Sequence, residues 1–413
     1  MWSLKHVHEC LCCGSRDLVP YLDLGRQPLA NNYHQGVTQT KYALAVQVCS
    51  KCFHSQLEYF VPPQEMFDSY FYVSGTSQSL TEYFHSLAET ILSRWEGAEP
   101  PKVLEIASND GTLLKILKDH GCQVLGVDPA QNVGEICRQN GVECLTAYWN
   151  EETASVLCET FDVVIAVNVL PHVPDPRGFL DACRKVLKPG GRLYLQTSQF
   201  DMFRNGEFDA VYHEHHSYFT ASSLATLLHR AGFVVGHAVK VPIHSTSILM
   251  ECHTDRDRGH SDSMSDLVRE EARLGWHTIE KYFEFAGRAE ECKITFTALL
   301  QTLKNKFAGD IVGYGASAKS STVFNYFGVD IDYFVDDNSM KHGYKTPGRN
   351  IPIHSPDVIS PDPHTGCPYD IVIVLTAWNF KSEILEKIKL RRPLNKDVYI
   401  SYIPEVEYGK LSD

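Results

Sequence analysis

Three features are missing from this chain of 413 residues. No run of about 18 apolar residues is present, the length a helix needs to span a bilayer, and no apolar N-terminal stretch resembles a secretory leader. An excess of positive charge is missing too: 38 Lys and Arg stand against 51 Asp and Glu, a formal charge of -13. That balance argues against sequence-independent nucleic-acid binding, which needs a basic face to displace counterions. Phosphate loops are the third absence, since neither GxGxxG nor GxxxxGK followed by Ser or Thr occurs. The 13 cysteines are odd in number and, beyond the first five, scattered singly, so they do not form a disulfide framework. Reduced thiols and a cytoplasmic address are expected. The length suggests two or three domains, and 43% hydrophobic residues suffice for globular cores.

The first cysteines are ordered. Cys10 and Cys13 form one CxxC pair, Cys49 and Cys52 a second, and Cys12 is spare. Four thiolates from two such knuckles make a tetrahedral zinc site with no open coordination position, so the metal is expected to be structural. A segment of about 60 residues with few core apolar residues needs such a staple.

From Lys102 to Asp128 the chain lays out a strand, a small-residue turn, a helix and a second strand ending in an acid. The turn from Glu105 to Gly111 lets backbone approach a ligand closely, and Asp128 sits where a carboxylate can hold a ribose diol. Without a pyrophosphate fingerprint, a phosphate-free nucleoside such as S-adenosylmethionine is the better ligand. Strand and helix signals then alternate to about His253, as in an open α/β sheet, and end in two adjacent strands that suggest an antiparallel edge pair. Seven strands with that finish are the methyltransferase pattern. Ligands of doubly wound sheets lie at the carboxyl ends of the strands, which selects Glu105, Ala107, Asn109, Gly111, Asp128, Tyr148 and Asn168 as cofactor contacts. The connection 199–220 is long and polar and contains Tyr212-His-Glu-His-His216. HEH lacks the spacing of a zinc protease helix, so general base work is the stronger reading: a His takes a proton, a neighbouring Glu fixes its tautomer, and a Tyr donates to an oxyanion. His213 and His216 are candidates for structural roles.

Near the C-terminus, Asp310 to Lys319 reads as a strand entering a glycine turn and a helix, with further strands at 331–337 and 371–375, so a second Rossmann-like unit is expected. Ser317, Lys319 and the helix N-terminus could neutralise a diphosphate. A polar helical stretch over 261–306 would connect the two. The aromatic segment at 67–77 holds Tyr70 and Tyr72, which either pack or face a ligand.

These motifs together resemble the three-domain, zinc-containing, S-adenosylmethionine-dependent C-methyltransferases of nucleotide-linked deoxysugars, which act at C-3 of dTDP-4-keto sugars. The resemblance rests on the paired CxxC motifs, LGRQPLAN at Leu24–Asn31, YFYVSGTS, EIASNDG, YHEH, GYGASAK and FVDDNSMKHGYKTPGRNIPI. It implies an α/β fold: a class I methyltransferase sheet of seven strands flanked by a zinc-binding domain and a C-terminal Rossmann-like domain, divided at 1–73, 74–256 and 257–413. It further implies Tyr72, His172, Tyr212, Glu214 and His215 around the reaction, His215 as base, and Tyr70, Ser317, Lys319, Asn338 and Lys341 toward the sugar nucleotide. Where the family pattern has Gly-Gly-Ser after the sixth strand, this chain has His244-Ser-Thr-Ser247, which affects the sugar pocket. No nucleic acid or membrane partner is expected, and a monomer is compatible with the pattern. O- or N-methyl transfer, nucleotide-sugar oxidoreduction and a zinc adaptor role remain alternatives.

Overall fold

The computed structural model describes residues 4–62, 66, 75, 78–157, 160–243, 245–255, 259–360, 370–392 and 396–411. Five strands come first: β1 (Lys5–His6), β2 (Leu18–Gln27), β3 (Tyr42–Cys49), β4 (Ser55–Leu57) and β5 (Tyr59–Phe60), with β1 antiparallel to β5. Helix α1 (Gln78–Ser93) follows. Its Leu80, Phe84, Leu87, Ala88 and Ile91 recur at helical spacing, and this stripe is the face it buries.

The alternation read from the sequence then unfolds as β6 (Lys102–Ile106), α2 (Thr112–Asp119), β7 (Gln123–Asp128), α3 (Gln131–Gln139), β8 (Cys144–Thr146), α4 (Glu151–Val156), β9 (Phe161–Val167), α5 (Pro176–Val186) and β10 (Leu187–Thr197). After α6 (Met202–Asn205), the short β11 (Ser217–Tyr218) pairs antiparallel with β4. Helix α7 (Ala221–Arg230) is opened by the expected Thr220, whose hydroxyl accepts from Ser223 N in a reciprocal capping box. Strands β12 (Val234–Val241) and β13 (Ser247–His253) complete a seven-stranded sheet of order β12-β13-β10-β9-β6-β7-β8. Only β13 runs antiparallel to its neighbours, so the antiparallel finish is present. Strand order reverses at β6, with β7 on one side and β9 on the other, and this switch point opens a crevice at the strand ends.

The polar stretch beyond the sheet is two helices, α8 (Asp262–Arg273) and α9 (Ile279–Lys306), parted at Gly275, whose φ of 85° no side-chain-bearing residue adopts readily. A six-stranded sheet follows, built from β14 (Ile311–Tyr314), β15 (Tyr333–Val335), β16 (Ile353–His354), β17 (Val372–Leu375), β18 (Val398–Ser401) and β19 (Glu407–Lys410) in the order β16-β15-β14-β17-β18-β19. Helices α10 (Ala318–Phe327) and α11 (Lys381–Arg391) lie between its strands in sequence. Strands β16, β18 and β19 were not anticipated.

By contacts, the chain forms two compact units that interleave in sequence. The first contains residues 1–19, 47–200 and 215–279, and with them the seven-stranded sheet. The second contains 20–46, 201–214 and 280–413. Its core joins distant segments: Tyr21 and Phe203 both stand edge-on to Tyr282 of α9, at 5.4 and 5.2 Å between ring centroids. Among the described residues no helix is long and apolar enough to cross a membrane.

Candidate active site and cysteine cluster

The cysteine site grows from two turns of the same shape. Gly14 N donates to Cys10 O, and Phe53 N to Cys49 O, with Gly14 and Phe53 both in the left-handed region (φ 76° and 57°). Each turn lifts two sulfurs toward the other. Cys10 and Cys52 Sγ are 3.5 Å apart, as are Cys13 and Cys49 Sγ, and all four sulfurs lie within 4.8 Å of one another. A tetrahedron with Zn–S of about 2.3 Å has edges of about 3.8 Å, so the four expected ligands fit zinc once the 3.5 Å pairs open slightly and the longer separations close. Two backbone N–H groups, from Cys13 and Lys51, point at Cys10 and Cys49 Sγ at 3.5 and 3.4 Å and stabilise thiolate charge. The spare Cys12 is fully buried, and burial pushes its thiol well above the usual range.

At the switch point of the large sheet lies a cavity of about 690 Å³. The turn after β6 forms one wall, and Ala107, Asn109 and Gly111 all have positive φ (57°, 51° and 74°). Such backbone is costly for non-glycine residues and marks a constrained site. At Gly111 a Cβ would lie 2.5 Å from Cys137 Sγ, so glycine is required there on two counts. Asp128 closes the turn from below: its carboxylate accepts from Asn109 N at 3.0 Å and from Ala130 N at 2.9 Å. Burial raises its pKa, and those two bonds oppose the rise. One lone pair on each oxygen is left for the two hydroxyls of a ribose.

Glu105 supplies a second feature of the same cavity. Its Oε2 is buried with no hydrogen-bond partner among the described residues, and burial, then Asp110 and Asp128, push its carboxyl well above the ordinary range. An unpaired buried oxygen of this kind costs about 1–3 kcal/mol, a cost that a ligand ammonium would offset. A diol acceptor, a cation acceptor and a largely apolar wall in one cavity fit S-adenosylmethionine. Of the seven cofactor residues expected, Glu105, Ala107, Asn109, Asp128, Tyr148 and Asn168 line the cavity. Gly111 does not; it shapes the turn.

His172 lines the cavity as well, at the end of the short helix Leu170–His172. Its ring stands edge-on to that of His215, with centroids 4.8 Å apart. His216 N donates to Pro171 O at 2.7 Å, which ties the two segments together. Gln199, in positive φ (59°), brings its Nε2 to 3.5 Å from His215 Nε2. Sequence reasoning missed Gln199 because a left-handed Gln leaves no mark in composition or periodicity. The neighbouring histidines pack on aromatic rings: His216 stacks on Phe60 at 4.2 Å, and buried His213 stands edge-on to Tyr42 at 5.9 Å, with burial lowering its pKa to about 4.

In the second unit, Glu214 is fully buried, which lifts its carboxyl to about 7, while Asn31 Nδ2 donates to Oε1 at 2.8 Å and opposes the rise. Tyr212 is half-buried two residues earlier. Lys319 reaches the segment that leads to them: its Nζ lies 3.8 Å from Glu207 Oε2 and 4.3 Å from the Trp378 ring centroid. Asp209, wholly buried, accepts from Trp378 Nε1 at 2.7 Å. The charge of Lys319 is therefore partly spent on protein acids. Ser317 caps α10 by accepting from Ser320 N. Lys341 donates to Asp336 Oδ2 (3.0 Å) and Ala316 O (2.8 Å), and Asn338 caps the turn after β15. Ser317, Asn338 and Lys341 thus gather around the start of α10 and the tip of β15, whereas the Lys319 side chain, from the same helix start, meets Glu207 and Trp378. Tyr70, Tyr72 and His244 lie outside the described residues.

Residues 10–67 match the family described as a zinc binding domain, 80–238 a methyltransferase domain, and 242–404 a C-methyltransferase C-terminal domain. The chain is 27% identical over 398 residues to the C-methyltransferase NovU of Streptomyces niveus, covering 94% of this chain and 93% of that protein. It is 34% identical over 110 residues to the ubiquinone biosynthesis O-methyltransferase of Idiomarina loihiensis, 25% of this chain and 44% of that one. Magnesium protoporphyrin IX methyltransferase from Synechocystis, solved with bound SAM, aligns at 16% identity and a TM-score of 0.33 over 42% of this chain and 78% of its own.

Proposed function

We propose that this chain, an S-adenosylmethionine-dependent methyltransferase carrying the zinc-binding, methyltransferase and C-methyltransferase C-terminal domains in that order, methylates the carbon beside the ketone of a nucleotide-linked 4-keto-deoxysugar, at C-3, through an enolate. The observation that supports this reading best is the imidazole pair: His172 lines the cofactor cavity and meets His215 directly. Bound S-adenosylmethionine supplies an electrophilic methyl group on a sulfonium. The chain's residues supply the rest. Asp128 holds the ribose diol, Glu105 receives the ammonium, and Asn109, Ala107, Asn168 and Tyr148 enclose the nucleoside.

A C–H bond beside a carbonyl is acidic enough for an imidazole to remove its proton, because the resulting charge moves onto oxygen. His215 takes the proton on a ring nitrogen. Glu214 holds charge and orientation on the same stretch of chain, and Tyr212 donates to the enolate oxygen, with His172 sharing that donation or holding a neighbouring hydroxyl. Tyr72 and Tyr70 are assigned to the same reaction and its sugar. Ser317, Lys319, Asn338 and Lys341 are assigned to the nucleotide, dTDP first, by helix N-terminus and positive charge. The same reading places the enzyme in the cytoplasm, where thiolate ligands stay reduced.

Incubating dTDP-, UDP- and GDP-4-keto sugars with a labelled methyl donor and following mass tests the proposal. A gain of one methyl that survives hydrolysis is expected. A label released as methanol or found on oxygen favours the second reading, O-methyl transfer, which the 34% identical O-methyltransferase segment supports over a quarter of the chain. No transfer to any keto sugar overturns the substrate assignment.

A further inference from the structure

The Leu24–Asn31 motif has no part in the reaction as set out so far, yet its last residue donates its side-chain amide to Glu214 across 183 positions of sequence, at 2.8 Å. We infer that Asn31 is a positioning residue for carbon deprotonation, holding the Glu214 carboxylate in the one orientation the reaction uses. The inference rests on the role given above to Glu214.

The geometry around Asn31 is that of a rigid mount. Asn32 N donates to Leu29 O at 3.1 Å and Tyr33 N to Asn31 O at 2.9 Å, so the backbone turns tightly at this residue. Leu29, Ala30 and Tyr33 on either side are buried. The Tyr33 hydroxyl donates to Ala316 O at 2.7 Å, and Lys345 N donates to His34 O at 2.8 Å in an isolated antiparallel bridge. The turn is therefore pinned on its C-terminal side, at Tyr33 and His34, to the part of the chain that carries β14 and β15. An ionised carboxylate can only accept, so the amide must present its nitrogen, and a donor that is already fixed loses little freedom when the charge forms.

Glu214 gains from such a mount because its carboxylate is buried and its charge must be held by fixed donors. It is 4% exposed, and burial opposes its charge. The Tyr33 phenol and Asp336 belong to the same neighbourhood, and the charges of Asp336 and Glu214 add to the burial that keeps Tyr33 protonated. Tyr33 already spends its proton on Ala316 O, and Asp336 accepts from Lys341. Asn31 is neutral, so it orients Glu214 without cancelling the charge that acts on the imidazolium.

The test compares the zinc-loaded native protein with Asn31→Leu, Asn31→Asp and Glu214→Gln, each alone, and with Asn31→Leu combined with Glu214→Gln. Three quantities are read: kcat and KM with the 4-keto sugar nucleotide accepted by the native protein, S-adenosylmethionine affinity, and deuterium exchange into the sugar carbon. Hydrogen bonds to charge are worth about 10- to 100-fold, so both Asn31 variants should lose about that factor in kcat and in exchange, with KM and cofactor affinity within about 3-fold of native. In the Glu214→Gln background the Leu substitution should add less than about 3-fold, because its effect passes through Glu214. Native-like exchange in Asn31→Leu, additive losses in the double variant, or parallel loss of cofactor affinity overturns the inference. If the native protein exchanges no proton from any keto sugar, the reading of the reaction falls and this inference with it; if only the Asn31 variants behave as native, the reaction stands alone.

Discussion

His172 and His215 meet edge to face, ring planes at 64° and centroids 4.8 Å apart, and only the first of them lines the cofactor cavity. The proposed proton acceptor is thus next to the cavity without being a wall of it. His215→Ala should lower turnover by about 10² to 10⁴-fold while S-adenosylmethionine affinity, read by calorimetry, stays nearly native. Full turnover in that variant would remove His215 from the reaction.

Asp128 is the complementary case. Its carboxylate shapes the turn and is the proposed ribose acceptor, so Asp128→Asn keeps the size and loses the charge. Cofactor affinity should fall about 10- to 100-fold. Unchanged calorimetric binding would move the ribose elsewhere.

Glu214 makes stability depend on pH with an unusual sign. Burial raises its pKa from 4.5 to about 7, so between those values the folded protein holds a proton that the unfolded chain has released. Stability from this group is therefore complete below about pH 4.5, falls as pH rises through that window and levels off above it. Glu214→Gln has no such group to ionise. Its advantage over the native protein in urea unfolding should grow from near zero at pH 5 to about 1–3 kcal/mol at pH 8. A gap that does not change with pH contradicts this account.

The cysteine cluster predicts one zinc per chain by elemental analysis. Cys49→Ser or Cys52→Ser should abolish retention of that zinc and strongly lower the melting temperature, whereas Cys12→Ser should retain full zinc. Zinc retained at one equivalent in Cys49→Ser would show that the ligand set is different.

Much of this was legible because it was local. The sheet strands follow from apolar runs, Thr220 announces α7, and paired CxxC spacing announces the cluster, since each signal spans only a few residues. The cavity was legible by rule, as strand ends around a switch point. What escaped is non-local or conformational. Nothing near Asn31 in sequence points to Glu214, and a left-handed Gln199 reads like any glutamine. The approach of Lys319 to Glu207 depends on how 201–214 folds back, which periodicity does not encode. The N-cap role of Ser317 was open to a propensity argument. Its position after a glycine turn drew attention to anions instead.

The excursion 201–214 has a practical meaning for anyone who would make the enzyme smaller. Thr322 of α10 donates to Val211 O at 3.2 Å, and Trp378 and Tyr402 both reach Asp209. A gene cut after Ile279 would still encode the whole seven-stranded sheet and its cavity, yet the fourteen residues that end in Tyr212 and Glu214 would have lost these C-terminal anchors. Under the roles proposed for Tyr212 and Glu214, such a fragment should bind the methyl donor and transfer nothing, because the C-terminal third of the chain holds residues 201–214 in place.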